Sequence, residues 1–147
     1  MELMRTTRRL ALEAAGIVAL AMCCPTVHAG DYSWTQDKVS PAINYHNVAV
    51  VTPFAPDAAS SIAPGSRITA VHAARSYKGT ARVQTDLCWN GMSRCVHVTG
   101  DSVNTHEFDG LDPGKPMYLV HKALGDQHRP LLSPVFVKGS VAVWYAP

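Results

Sequence analysis

Beyond residue 29 the chain holds one glutamate, Glu107, and two cysteines, Cys88 and Cys95. It has no Gly-x-Ser-x-Gly elbow, no phosphate-cradling glycine loop and no pair of carboxylates placed to share a proton, so the common carriers of hydrolytic and nucleotide chemistry are missing. Ten Lys/Arg stand against nine Asp/Glu in residues 30–147, with no basic run and no aromatic platform interleaved with cations. That balance excludes an electrostatic nucleic-acid binder. No stretch keeps an apolar stripe at helical spacing over several turns, and no second apolar span follows the first, which excludes a helical bundle and a membrane-spanning helix after position 29.

What is present starts at the N-terminus. Arg5, Arg8 and Arg9 precede an apolar run from Ala14 to Cys24 that ends in Val27-His28-Ala29. This is the layout of a secretory signal peptide over residues 1–29, with cleavage expected before Gly30. The run covers 11 residues, where a spanning helix needs about 20. Thr7-Arg8-Arg9-Leu10 fits a twin-arginine signal poorly, and Met22 spoils a lipoprotein reading of Leu20–Cys23. Cys23 and Cys24 leave with the signal, so Cys88 and Cys95 form an even pair in an oxidising compartment, and residues 30–147 are expected to form a single domain.

Period-two alternation recurs along that domain, bounded by Pro53-Phe-Ala-Pro56-Asp57, Pro64-Gly65, Asn90-Gly91, Asp112-Pro113-Gly114 and Lys138-Gly139. These residues set or tolerate turn dihedrals. The pattern predicts an all-β antiparallel sandwich of about eight short strands. They are expected at 42–52, 66–77, 82–88, 94–99, 105–108, 117–122, 135–137 and 140–145, and two packed sheets are needed because one open sheet would leave an apolar face wet.

The stretch Asp86–Val98 carries the most specific signal. Val83, Thr85 and Leu87 alternate with polar neighbours, Asn90-Gly91 supplies a reversal through positive φ, and Cys95 to Thr99 resume the alternation. Cys88 and Cys95 then oppose each other across a hairpin and are read as a disulfide. A redox pair favours Cys-x-x-Cys at a helix start, which this spacing does not offer. Trp89 beside the tied turn is a candidate partner contact, and the competing reading is packing across its own hairpin. Of Trp144 and Tyr145, which point to opposite faces of the last strand, one belongs to the core. Histidines at 46, 72, 97, 106, 121 and 128 are scattered, and although His97 and His106 are able to meet across strands, no tight ligand spacing announces a metal. Thr105-His106-Glu107 admits an acid/base reading, but a short strand with Phe108 inward accounts for it more simply. Catalytic residues, cofactors and bound metals are therefore not expected.

Several of these residues, in order, resemble the FlhE family of periplasmic flagellar proteins. They are Trp34; Ile43-Asn44-Tyr45 followed by Val48; Leu87-Cys88 and Arg94-Cys95-Val96; Gly100 leading to Thr105-His106, Phe108 and Gly110; Pro134, Val137 and Ser140; and the ending Val141-x-Val143-x-Tyr145. The resemblance implies a disulfide-bonded β-sandwich acting in the periplasm as an accessory of flagellar assembly. Its partners would be basal-body or export-apparatus proteins, and its work either limiting proton leakage through the export apparatus or chaperoning rod and hook subunits. The alternatives are a general periplasmic chaperone or small-ligand carrier with an apolar groove between its sheets, and a metal-binding protein using His97, His106 or His121.

Overall fold

Alternation decides the central strands. In Val83–Trp89 the residues at 83, 85 and 87 are buried, and in Met117–Ala123 every odd position is buried and every even one half-buried. Two such ribbons, each apolar on one face, must close against a second sheet. The computed structural model describes residues 32–147 and shows that closure. Its strands are β1 (Tyr32–Val39), β2 (Ile43–Tyr45), β3 (Ala49–Phe54), β4 (Arg67–Tyr77), β5 (Val83–Trp89), β6 (Cys95–His97), β7 (Ser102–Thr105), β8 (Met117–Ala123), β9 (Pro130–Val135) and β10 (Val137–Ala146). One sheet runs β1-β10-β4-β7, the other β3-β8-β5-β6, and β2 pairs with β9 in a two-stranded ribbon. All strand pairs are antiparallel. There is no helix among the described residues, and the signal-peptide expectation for residues 1–29 lies outside them.

The main core joins both sheets: Trp34, Val71, Val141 and Val143 from one meet Phe54, Leu87, Met117 and Leu119 from the other. A smaller cluster of Ile43, Val83, Ala123, Val135 and Val137 seals the end where β2 and β9 lie. Gly139 faces inward on β10, and a Cβ there would stand 2.6 Å from Leu119 Cδ1 and 3.2 Å from Phe54 Cζ. The glycine leaves the notch that the Leu119 side chain occupies. Tyr145 is the buried member of the terminal aromatic pair, and Trp144 is half-buried.

Among the described residues ten strands replace the expected eight, for local reasons. β1 escapes the pattern because Trp34 is its sole buried side chain. It is an edge strand, held to β3 and the turn after it by polar contacts: Lys38 Nζ donates to the Pro53 carbonyl at 2.7 Å, and Gln36 Oε1 accepts from the Ala55 N–H at 3.1 Å. The strand expected over 42–52 breaks at His46-Asn47, where Asn47 adopts φ 58°. Residues 106–109 form a turn after β7 instead of a strand, yet Phe108 still points inward and is wholly buried. The short strand expected at 135–137 is the junction of β9 and β10, with Phe136 between them. Pro53 lies within β3, which is tolerated because β3 is an edge.

Candidate functional site

The cysteine hairpin forms as expected. Cys88 and Cys95 sit directly opposite in the β5–β6 pair and are joined by a disulfide. Asn90 and Gly91 turn the chain with φ of 47° and 118°, and the Trp89 N–H closes the loop on the Arg94 carbonyl at 3.0 Å. Cys88 is buried while Cys95 is exposed. Closing this short loop in the unfolded chain is worth about 2.5 kcal/mol. Cys95→Ser is therefore expected to lower the melting temperature by about 10 °C with the far-ultraviolet spectrum unchanged; scanning calorimetry checks it, and equal melting temperatures would count against it.

Trp89 ends β5 half-buried, packs against the main core, and donates from Nε1 to the Asp112 carbonyl at 3.1 Å. Its indole is thus tied to the 108–116 connection, and the sharp point of the hairpin is Met92, 58% exposed.

The histidines are dispersed. His97 Nδ1 lies 2.9 Å from Asp86 on the outer face of the β5–β6 pair. His106 Nδ1 lies 2.8 Å from the Thr69 carbonyl and 3.0 Å from Asp109 Oδ2. Both partners are acceptors, so that nitrogen carries the proton, and the Asp109 hydrogen bond, the Thr69 carbonyl and the Asp109 charge raise the pKa of this exposed ring. His121 is elsewhere, fully buried on the central strand β8. Among the described residues no three His, Cys, Asp or Glu side chains gather as a metal site.

His121 belongs to a buried polar tie between the sheets. Arg75 reaches from β4, where Nε donates to the Gly100 carbonyl at 2.8 Å and Nη1 donates to the Val83 carbonyl and, at 2.9 Å, to Thr85 Oγ1. Thr85 Oγ1 also lies 2.9 Å from His121 Nδ1. The other ring nitrogen, Nε2, has no partner among the described residues. Burial pushes the imidazole pKa down to about 4, and the Arg75 charge adds to the effect. Thr85 and His121 lie in the interior and Arg75 reaches them from a half-buried position, an arrangement that suits a structural role.

The surface features that sequence reasoning missed lie at the end of the sandwich sealed by the smaller core. Leu132 and Phe136 are exposed there, beside Lys78, Arg82 and Lys138. Pro-Leu-Leu-Ser-Pro at 130–134, two prolines framing two leucines, was the available signal.

No protein-family profile and no curated protein matches the chain. Among solved structures, the chain is similar to the crystal structure of FlhE, with 25% sequence identity and a TM-score of 0.66 over 81% of this chain and 100% of that one. The fold is FlhE-like.

Proposed function

We propose that this chain is a non-enzymatic periplasmic accessory of flagellar assembly that works by presenting a rigid surface to basal-body or export-apparatus proteins. The observation that carries the reading is the likeness to FlhE along the whole of that chain. The Cys88–Cys95 disulfide supports a compartment outside the reducing cytoplasm. Among the described residues no helix is long and apolar enough to cross a membrane. The finer role is limitation of proton leakage through the export apparatus or protection of rod and hook subunits, and both need binding without bond chemistry. A carrier with a groove between its sheets would need space that Phe54, Leu87, Leu119, Val141 and Val143 occupy.

Deleting the gene is expected to change swimming or flagellar number, and cytoplasmic pH as well if the chain limits proton leakage. Three unchanged values would remove the flagellar reading. Complementation with the Cys95→Ser variant should restore activity at low temperature, because the bridge contributes stability and no chemistry.

A further inference from the structure

β9 is built around a bulge. Its ends pair as Tyr45↔Pro130 and Ile43↔Val135, so Leu131–Pro134 lie opposite a single residue of β2, Asn44. The surplus residues cannot follow the ladder, and their main-chain groups have no register partner in β2. The bulge also carries Leu132 into solvent, and Phe136, just beyond it, is 53% exposed. Exposed large apolar side chains that cluster rather than scatter mark contact surfaces.

Two adjoining concavities flank this segment. One, of about 410 Å³, runs between β9 and the 78–82 connection, with Lys78, Arg82, Leu131 and Leu132 in its wall. The second, of about 500 Å³, continues from Lys78 and Pro134 to Tyr77, Phe136 and Lys138. Among the described residues no carboxylate lines either of them. Lys78, Arg82 and Lys138 form no ion pair among the described residues. The trough thus offers apolar walls, surplus main-chain groups on one side and three cations that form no ion pair among the described residues.

We propose that this trough docks an extended segment of a partner protein in which apolar residues alternate with Asp or Glu. An extended chain sends alternate side chains to opposite sides. One set would fill the space beside Leu132 and Phe136 while the other meets Lys78, Arg82 and Lys138, and the bulge supplies main-chain hydrogen bonds. A membrane surface fits less well, because interfacial binding wants a continuous apolar face to bury, whereas here the apolar groups wall a trough. The inference rests on the reading of this chain as a partner-binding accessory and adds the chemistry of the partner.

The test is titration of the isotope-labelled, oxidised protein with two ten-residue peptides, one alternating Leu or Phe with Asp or Glu, the other identical with Lys at the charged positions. Saturable amide shifts confined to residues 78–82 and 131–138 are expected with the acidic peptide. Binding of the lysine peptide should be at least tenfold weaker. The Lys78→Glu/Lys138→Glu and Leu132→Ser/Phe136→Ser variants should each lose at least tenfold while retaining the wild-type spectrum elsewhere. Absence of saturation, or shifts on another face, overturns the proposal. So does uptake by phosphatidylglycerol vesicles that the lysine reversals abolish when the peptide does not bind, or self-association through the same residues. These measurements need no flagella: peptide failure with a deletion phenotype intact removes the trough alone, and peptide binding without that phenotype removes the flagellar reading alone.

Discussion

Between pH 7 and pH 4 this protein is expected to lose about 3 kcal/mol of stability through His121 alone. The ring is wholly buried and its native pKa is lowered to about 4 from 6.5. Above pH 6.5 the imidazole is neutral in both states, so its contribution is complete there. As the pH falls below 6.5 the unfolded chain takes up a proton that the native state refuses, and each unit of difference is worth about 1.4 kcal/mol. The loss levels off below pH 4, where the native ring is protonated too. Burial is the larger cause of the lowered pKa, and the charge of Arg75, bonded to the neighbouring Thr85, adds to it. His106 runs the other way: its pKa is raised, so the stability it adds is present in acid and fades as the pH climbs through its native pKa. Urea unfolding of the wild type and of His121→Leu across this range separates the buried ring from the carboxylates, which are common to both. The variant should show the shallower pH dependence. Parallel curves, or a His121 ring titrating near 6.5 in the folded protein, would refute the assignment.

Leu119→Ala should cost about 3 kcal/mol, within the usual range for a wholly buried leucine. Leu119 is central in β8, between Thr52 and Leu87, and its Cδ1 fills the notch above Gly139. Gly139→Val should cost about 2 kcal/mol by overpacking, because even a Cβ would come too close to that methyl. The two changes meet at one point, so their effects should not add. In the Leu119→Ala background the valine enters space the leucine has vacated, and the double variant should be more stable than the sum of the single losses by about 1 kcal/mol. Denaturant unfolding of the four proteins measures the coupling. Strict additivity would mean that the sheets do not meet here as described.

How far the sequence discloses this depends on where each signal originates. Burial on one face of a strand leaves alternation in the chain itself, so β4, β5 and β8 were readable, as was the disulfide, whose partners face each other across a local turn. β1 was not: its ladder partner is β10, at the far end of the chain, and polar Gln36 and Lys38 make its contacts to β3 and the turn after it. Asn47 breaks the strand expected over 42–52 through a positive φ that asparagine adopts in some settings and not in others. Phe108 was placed inward correctly although its backbone turns, because a large apolar side chain seeks the core from either conformation. The His121 tie needs Arg75 and Thr85 from two other strands, and nothing in the spacing of 75, 85 and 121 announces it. The trough left only the two prolines framing Leu131 and Leu132 as a signal, since a leucine in solvent and a leucine in the core read alike until the partner strand is known.

The unequal exposure of the two bridged sulfurs has a chemical outcome. A thiolate arriving from solvent meets the Cys95 side of the bond, and the group it must expel is the sulfur of Cys88, which would become an anion in a dry interior. Poor solvation of that leaving group raises the barrier to cleavage. The ribbon thereby protects its own cross-link for as long as the sandwich stays folded, and reductants gain purchase on it mainly in molecules that have already opened.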